Sequence, residues 1–319
     1  MEREYKIDNL RAIAILLVVL GHSIIIYDPN WGLISSEVEC MPFMYLKKMI
    51  NLVQMPLFFS LSGYCYCLSK NQVFNKKLLS NKFMRILLPY FLICILYMDP
   101  IKVGLGVPGY DLSFKMIGQQ LLLFINNGHL WYLPSLFLMF VVSSFASLWG
   151  GKSIRWTYVL AIILSVFSSR ICAYFCLSQF CLYYVYFLLG YIISMNKTKL
   201  YKRKMIGLCL CIIPLILSLW INDGGHIKHS LFMLMSFCVV IGLYCLVSSS
   251  RNKALMILSK NSYGIYLFHS PLIYFMYMLY PNANPIVMFT VNFIVCGFIS
   301  LGLVYLIRTL GLKFIIGEK

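Results

Sequence analysis

The feature that most constrains this chain is a succession of ten apolar runs, each near the length that crosses a bilayer, at roughly 10–27, 47–69, 84–104, 130–149, 156–172, 179–195, 205–221, 230–248, 262–279 and 286–307. About 20 apolar residues in a helix span the hydrocarbon layer. A helix satisfies its own backbone donors and acceptors there, as an open sheet cannot. The expected fold is therefore all-α: a polytopic bundle of about ten transmembrane helices, with residues 1–319 as one integral-membrane domain. The composition agrees. The chain is 61% hydrophobic and 12% charged, against about 45–50% and about 25% for soluble domains. That excludes a soluble globular domain, and such apolar content excludes disorder. A short amphipathic stretch, 112–125, is expected to lie along the membrane interface.

The net charge of +17 has a topological reading. Alternate loops hold 21 of the 27 basic residues on one side and six on the other. Bases collect on cytoplasmic loops, so both termini are expected in the cytoplasm, facing anionic headgroups. Nucleic acid is not an expected partner. The first run carries Asp8, Arg11 and His22 and lacks a small-residue cleavage pattern, so it reads as a retained span rather than a signal peptide. Of the 12 cysteines, most lie inside apolar runs and read as small hydrophobes. Cys65/Cys67 and Cys172/Cys176/Cys181 lack zinc spacing with partner histidines, and His226 with His229 lacks a third ligand, so no metal is expected.

Ionisable groups inside spans are costly and point to function. Asp8 and Arg11 are three apart, on one helix face. Arg11 and His22 are eleven apart, close to three turns, which places them on the same face roughly 16 Å apart along the axis. Each has a structural alternative: Arg11 snorkelling to lipid phosphate, and His22 capping a neighbouring helix. In the second run, Pro56 frees a carbonyl, and Ser62-Gly63 permits close approach of a helix or a ligand. Lys82 and Arg85, three apart, converge on one phosphate group if their segment is helical. His129-Leu130-Trp131-Tyr132 opens the fourth run; an interfacial aromatic belt explains Trp131 and Tyr132 but not His129. His269 lies about two turns into the ninth run, where a hydrogen-bonded core histidine is the plain alternative.

These stretches, in this order, resemble acyltransferase family 3, integral-membrane O-acyltransferases that acetylate cell-surface polysaccharides and related molecules. The resemblance rests on Ile7-Asp8-Asn9-Leu10-Arg11-Ala12-Ile13-Ala14 and Val18-Val19-Leu20-Gly21-His22, which fit the family's motif of arginine, ten residues and histidine. It continues through Phe58–Tyr64, Arg85–Tyr90, His129–Leu133 and Tyr263–His269. Ala12 stands where the family usually has glycine, and Lys82 where it usually has the first of two arginines. A lysine lacks the bidentate geometry of guanidinium.

The resemblance implies cytoplasmic acetyl-CoA as donor substrate, no permanently bound cofactor, and a hydroxyl of a surface polysaccharide or lipid-linked sugar precursor (capsule, O-antigen or exopolysaccharide) as acceptor. It implies a multi-pass protein of the bacterial cytoplasmic (inner) membrane. His22, Arg11 and Asp8 are the expected catalytic group. Arg11, Lys82, Arg85, Ser62 and Gly63 are expected at the acyl donor. His129, Trp131, Tyr132 and His269 are candidates for holding the acceptor or the developing oxyanion. His22 would act as general base or carry the acetyl group covalently; both routes suit a histidine. The contrasting reading is a transporter or flippase for a lipid-linked glycan, although no paired broken helices occur in two matching halves.

Overall fold

The computed structural model describes residues 4–69, 72–147, 153–201, 203–220 and 226–318. They are all-helical, with no strand. The principal helices are α1 (Tyr5–Ser23), α2 (Met41–Asn51), α3 (Gln54–Cys67), α4 (Lys76–Gly104), α5 (Phe114–Leu122), α6 (Gly128–Ala146), α7 (Ser153–Val166), α8 (Tyr174–Met195), α9 (Lys204–Trp220), α10 (His226–Leu246), α11 (Lys253–Leu279) and α12 (Pro285–Thr309). A helix falls on each of the ten apolar runs. Four of these helices, α4, α6, α8 and α12, are long and apolar enough to cross a membrane by length and composition.

The second run does not form one helix. Its first residues belong to α2, the chain turns at Leu52-Val53, and α3 begins at Gln54. Pro56 sits in the first turn of α3, where its missing N–H leaves no helical bond unmade. The amphipathic stretch is the short helix α5, capped by Ser113 Oγ, which accepts from the Met116 N–H at 3.2 Å. Phe114 and Leu122 point outward while Gln120 is buried, as a helix lying on an apolar interface requires. α10 starts at His226, so His226 and His229 belong to a helical turn rather than a loop; their side chains lie outside those described.

α1 is the central post. It packs along α11 and α3 and also touches α2 and α10. Burial runs around it, and Lys6, Asp8 and Asn9 are buried with the aliphatics. Such a helix needs polar partners inside the bundle, and it has them. Lys6 Nζ donates to the Tyr244 carbonyl at 2.8 Å, and Asn9 Nδ2 to the carbonyls of Ser248 and Ser250 at 3.0 Å each. α12 lies at the other extreme. Only 22% of its most apolar stretch is buried, and Phe298, Ile299 and Leu306 face outward, a surface suited to lipid.

The tightest contact is α3 against α8. A Cβ on Gly63 would lie 1.8 Å from the Phe187 carbonyl oxygen, and one on Gly190 would lie 1.7 Å from that of Ser60. Two glycines thus let the two backbones touch. α4 is bent differently. It contains two wide turns, Phe83–Leu87 and Cys94–Met98, each followed at the second residue by a proline, Pro89 and Pro100. A proline lacks the N–H for the carbonyl four residues back, and the widened turn makes room for its ring.

Candidate active site

Prolines build much of this site, because each orphans a carbonyl that a distant side chain must satisfy. Pro271, inside α11, leaves the Leu267 carbonyl without a helical donor. His129 Nε2 supplies one at 3.2 Å. The neighbouring Phe268 carbonyl accepts from the Tyr97 hydroxyl at 3.1 Å. In return, the Tyr266 hydroxyl donates to the His129 backbone carbonyl. Pro89 likewise orphans the Arg85 carbonyl, which accepts from the Tyr263 hydroxyl at 3.0 Å.

Three histidines meet where α1, α6 and α11 converge. The ring of His269 lies 5.0 Å from that of His22 and 5.5 Å from that of His129, centroid to centroid. Their tautomers follow from their neighbours. His269 Nδ1 faces two acceptors, the carbonyls of Ile265 at 3.0 Å and Tyr266 at 2.9 Å, so it carries the proton. His269 Nε2 is then a bare acceptor, 3.4 Å from His22 Nδ1. His22 Nδ1 faces that lone pair and the Val18 carbonyl at 2.9 Å, so it too is protonated. The lone pair of His22 is left on Nε2, which has no hydrogen-bond partner among the described residues. His22 lines a cavity of about 260 Å³ together with His129, Trp31 and Trp131. The Tyr277 hydroxyl, donating to the His22 carbonyl at 2.5 Å, fixes this end of α1.

Arg11, three turns back, opens onto a second cavity of about 480 Å³. Lys82, Arg85 and Lys260 line it as well, so four cations share one concavity. Arg11 is held by Asp8 at 3.8 Å and by Cys65 Sγ at 3.3 Å, and Asp8 also accepts from Ser259 Oγ at 2.9 Å. Lys82 Nζ sits 3.3 Å from the centroid of the Phe140 ring. The C-terminal segment forms another wall with Ile316, Gly317 and Glu318, and Glu318 is anchored by Arg308 at 2.6 Å. Ser62 Oγ and the Tyr132 hydroxyl, 3.0 Å apart, lie on the same surface. The two cavities share no lining residue. Tyr266, which lines the Arg11 cavity, is hydrogen-bonded to His129, which lines the His22 cavity.

The structure therefore gathers Arg11, Asp8, Lys82, Arg85, Ser62 and Tyr132 at one end, and His22, His129, Trp131 and His269 at the other. Gly63, expected at the acyl donor, sits in a helix contact. It does not line the Arg11 cavity, because its face is filled by the Phe187 backbone of α8; close helix packing uses this small residue, not a ligand. Trp131 and Tyr132 exceed a belt role, since both line cavities. Lys260 and Tyr277 were not singled out from sequence, and Tyr263 and Tyr266 entered only as part of the Tyr263–His269 stretch, with no role given. A signal existed for the tyrosines: Tyr263, Tyr266 and Tyr277 fall at helical spacing with Ser259, Ser270 and Ile273, and together these form one inward face of α11.

Residues 4–309 match the acyltransferase domain that defines acyltransferase family 3, nearly the whole chain. A helical membrane protein with this match is an acyltransferase by class, and the chain belongs to that family. No curated protein and no solved structure matches it.

Proposed function

We propose that this protein is an O-acetyltransferase that moves an acetyl group from cytoplasmic acetyl-CoA to a hydroxyl of a surface polysaccharide or lipid-linked sugar precursor. In this reading the chain crosses the bacterial cytoplasmic membrane ten times, with both termini and the Arg11 cavity on the cytoplasmic side. The single observation that carries it is the placement of His22, which lines a cavity of about 260 Å³ while its Nδ1 is engaged by the Val18 carbonyl and His269, so that the tautomer assigned from these partners leaves Nε2 free to act as base.

Four cations around one concavity suit the phosphates of CoA. The pantetheine arm, fully extended, has roughly the reach of the Arg11–His22 separation. The thioester passes to the His22 cavity when the Tyr266 hydroxyl leaves the His129 carbonyl. His22 Nε2 then takes the proton of the acceptor hydroxyl as its oxygen attacks the thioester carbon. The tetrahedral intermediate collapses, the C–S bond breaks, and the proton on Nε2 passes to the departing thiolate. The Nδ1–H, directed at Val18 and His269, keeps the ring from turning and supports the imidazolium between the two steps.

The test is transfer of label from [acetyl-14C]CoA to glycan in liposomes holding the purified protein. Wild type should transfer label, and His22→Ala should transfer about 100- to 10,000-fold more slowly while inserting normally. Glycan crossing the bilayer without gaining label would favour the transporter instead. Labelled protein trapped before acceptor is added would replace general-base catalysis with an acetyl-histidine intermediate.

A further inference from the structure

Lys102 stands apart from the other cations among the described residues. It lies three residues from the end of α4, where a lysine ordinarily extends its ammonium to the interface. Here it is fully buried, at 0% exposure, and Nζ has no hydrogen-bond partner among the described residues. The acid one turn earlier, Asp99, lies near enough for its charge to be felt but makes no hydrogen bond to Nζ; its Oδ1 accepts from Gln120 Nε2 at 3.0 Å. Nζ is instead held between two ring faces, 3.9 Å from the centroid of Tyr110 and 4.6 Å from that of Tyr274.

Both rings line the His22 cavity, and so does Gly128. A Cβ on Gly128 would fall 2.7 Å from Lys102 Nζ, so the ammonium packs directly against Gly128, behind the cavity wall, in space that any side chain there would take. Gly128 also has φ +51°, in the left-handed region that glycine tolerates best. Among the described residues no carboxylate lines the cavity. Five aromatic rings do: Trp31, Tyr110, Trp131, Tyr274 and Tyr277.

A buried ammonium with unfilled donors is expensive unless something completes it. We infer that the His22 cavity receives a sugar carrying an anionic group, a carboxylate or a phosphate, which draws the Lys102 ammonium forward beside Gly128 to bind it while the aromatic rings hold the sugar. This deepens the proposed function, since it takes the His22 cavity as the acceptor's seat. It defines the acceptor as an acidic sugar, and the anion then fixes which hydroxyl faces His22 Nε2.

The experiment measures binding without any acyl donor, using the purified full chain in detergent and ligand-observed NMR. The probes are methyl β-D-glucuronide, glucose 6-phosphate and the neutral methyl β-D-glucoside. At least one anionic probe should bind about 10- to 100-fold more tightly than the glucoside, the usual worth of a hydrogen bond to a charged group. Which anion is preferred separates carboxylate from phosphate. Lys102→Met, similar in length and uncharged, should reduce that preference to less than threefold while still binding the glucoside. No acyl donor is present in this measurement, so an error in the acetyl-transfer reading leaves its result intact. Equal binding of charged and neutral probes by wild type would overturn the inference without recourse to any variant. A preference that survives in Lys102→Met would overturn it as well.

Discussion

Replacing His269 with phenylalanine asks which of two touching histidines is the base. The substitution keeps an aromatic ring of similar volume in a fully buried site. The carbonyls that lose its Nδ1–H, Ile265 and Tyr266, belong to the same helix, so folding should change little. What disappears is the lone pair facing His22 Nδ1–H at 3.4 Å. That contact is long, and the Val18 carbonyl at 2.9 Å still receives the proton. A neutral hydrogen bond is worth about 0.5–1.5 kcal/mol net, and at about 1.4 kcal/mol per decade its loss should slow acetyl transfer by about 2- to 12-fold. The KM for acetyl-CoA should not move, because the Arg11 cavity is untouched. The assay is initial-rate transfer of label in liposomes at several donor concentrations. A rate as low as that of His22→Ala would refute the reasoning, making His269 a direct participant rather than a positioning residue. An unchanged rate would refute it too, leaving the Val18 carbonyl alone to orient the ring.

Lys82→Ala and Arg85→Ala should each weaken acetyl-CoA binding by about tenfold at low salt, with Lys82→Arg retaining it; equilibrium dialysis with labelled donor checks this, and unchanged affinity in both alanine variants would move the donor elsewhere. Gly63→Ala places a methyl carbon 1.8 Å from the Phe187 carbonyl, so α3 and α8 must separate. The melting temperature in detergent should fall by several degrees, as expected for a loss of about 1–3 kcal/mol. Gly297→Ala, which meets nothing within 4 Å, serves as its control and should be neutral or slightly stabilising by helix propensity. Tyr263→Phe leaves the Arg85 carbonyl without its donor and should lower the melting temperature modestly, by about 1 kcal/mol in stability; no shift would indicate that solvent takes the place of the hydroxyl.

The helices were legible because their cause is local. Ten runs of apolar residues appear in the chain itself, and each contains a helix. The alignment of Arg11 with His22 was equally readable, since helical pitch alone puts residues eleven apart on one face. The break before α3 was less so. Pro56 marked a disturbance, but a proline permits either a kink or a new first turn, and only the surroundings chose the latter.

What lay beyond the sequence is everything that depends on a partner more than a hundred residues away. Pro271 announces a carbonyl needing a donor, yet nothing in its neighbourhood names His129 as that donor. Three histidines at 22, 129 and 269 are unremarkable until folding brings the rings of His22 and His129 within 5.5 Å of that of His269, which adds the His269 lone pair to the Val18 carbonyl at His22 Nδ1. Gly63 could have faced a ligand or a helix, and the Phe187 backbone settled it. Lys102 counted only as one more base near a helix end, because hydropathy cannot distinguish a lysine reaching for water from one shut between Tyr110 and Tyr274. Local pattern sets which segments are helical, since a helix closes its hydrogen bonds within itself; side-chain chemistry waits on the fold, since its partners are supplied by other segments.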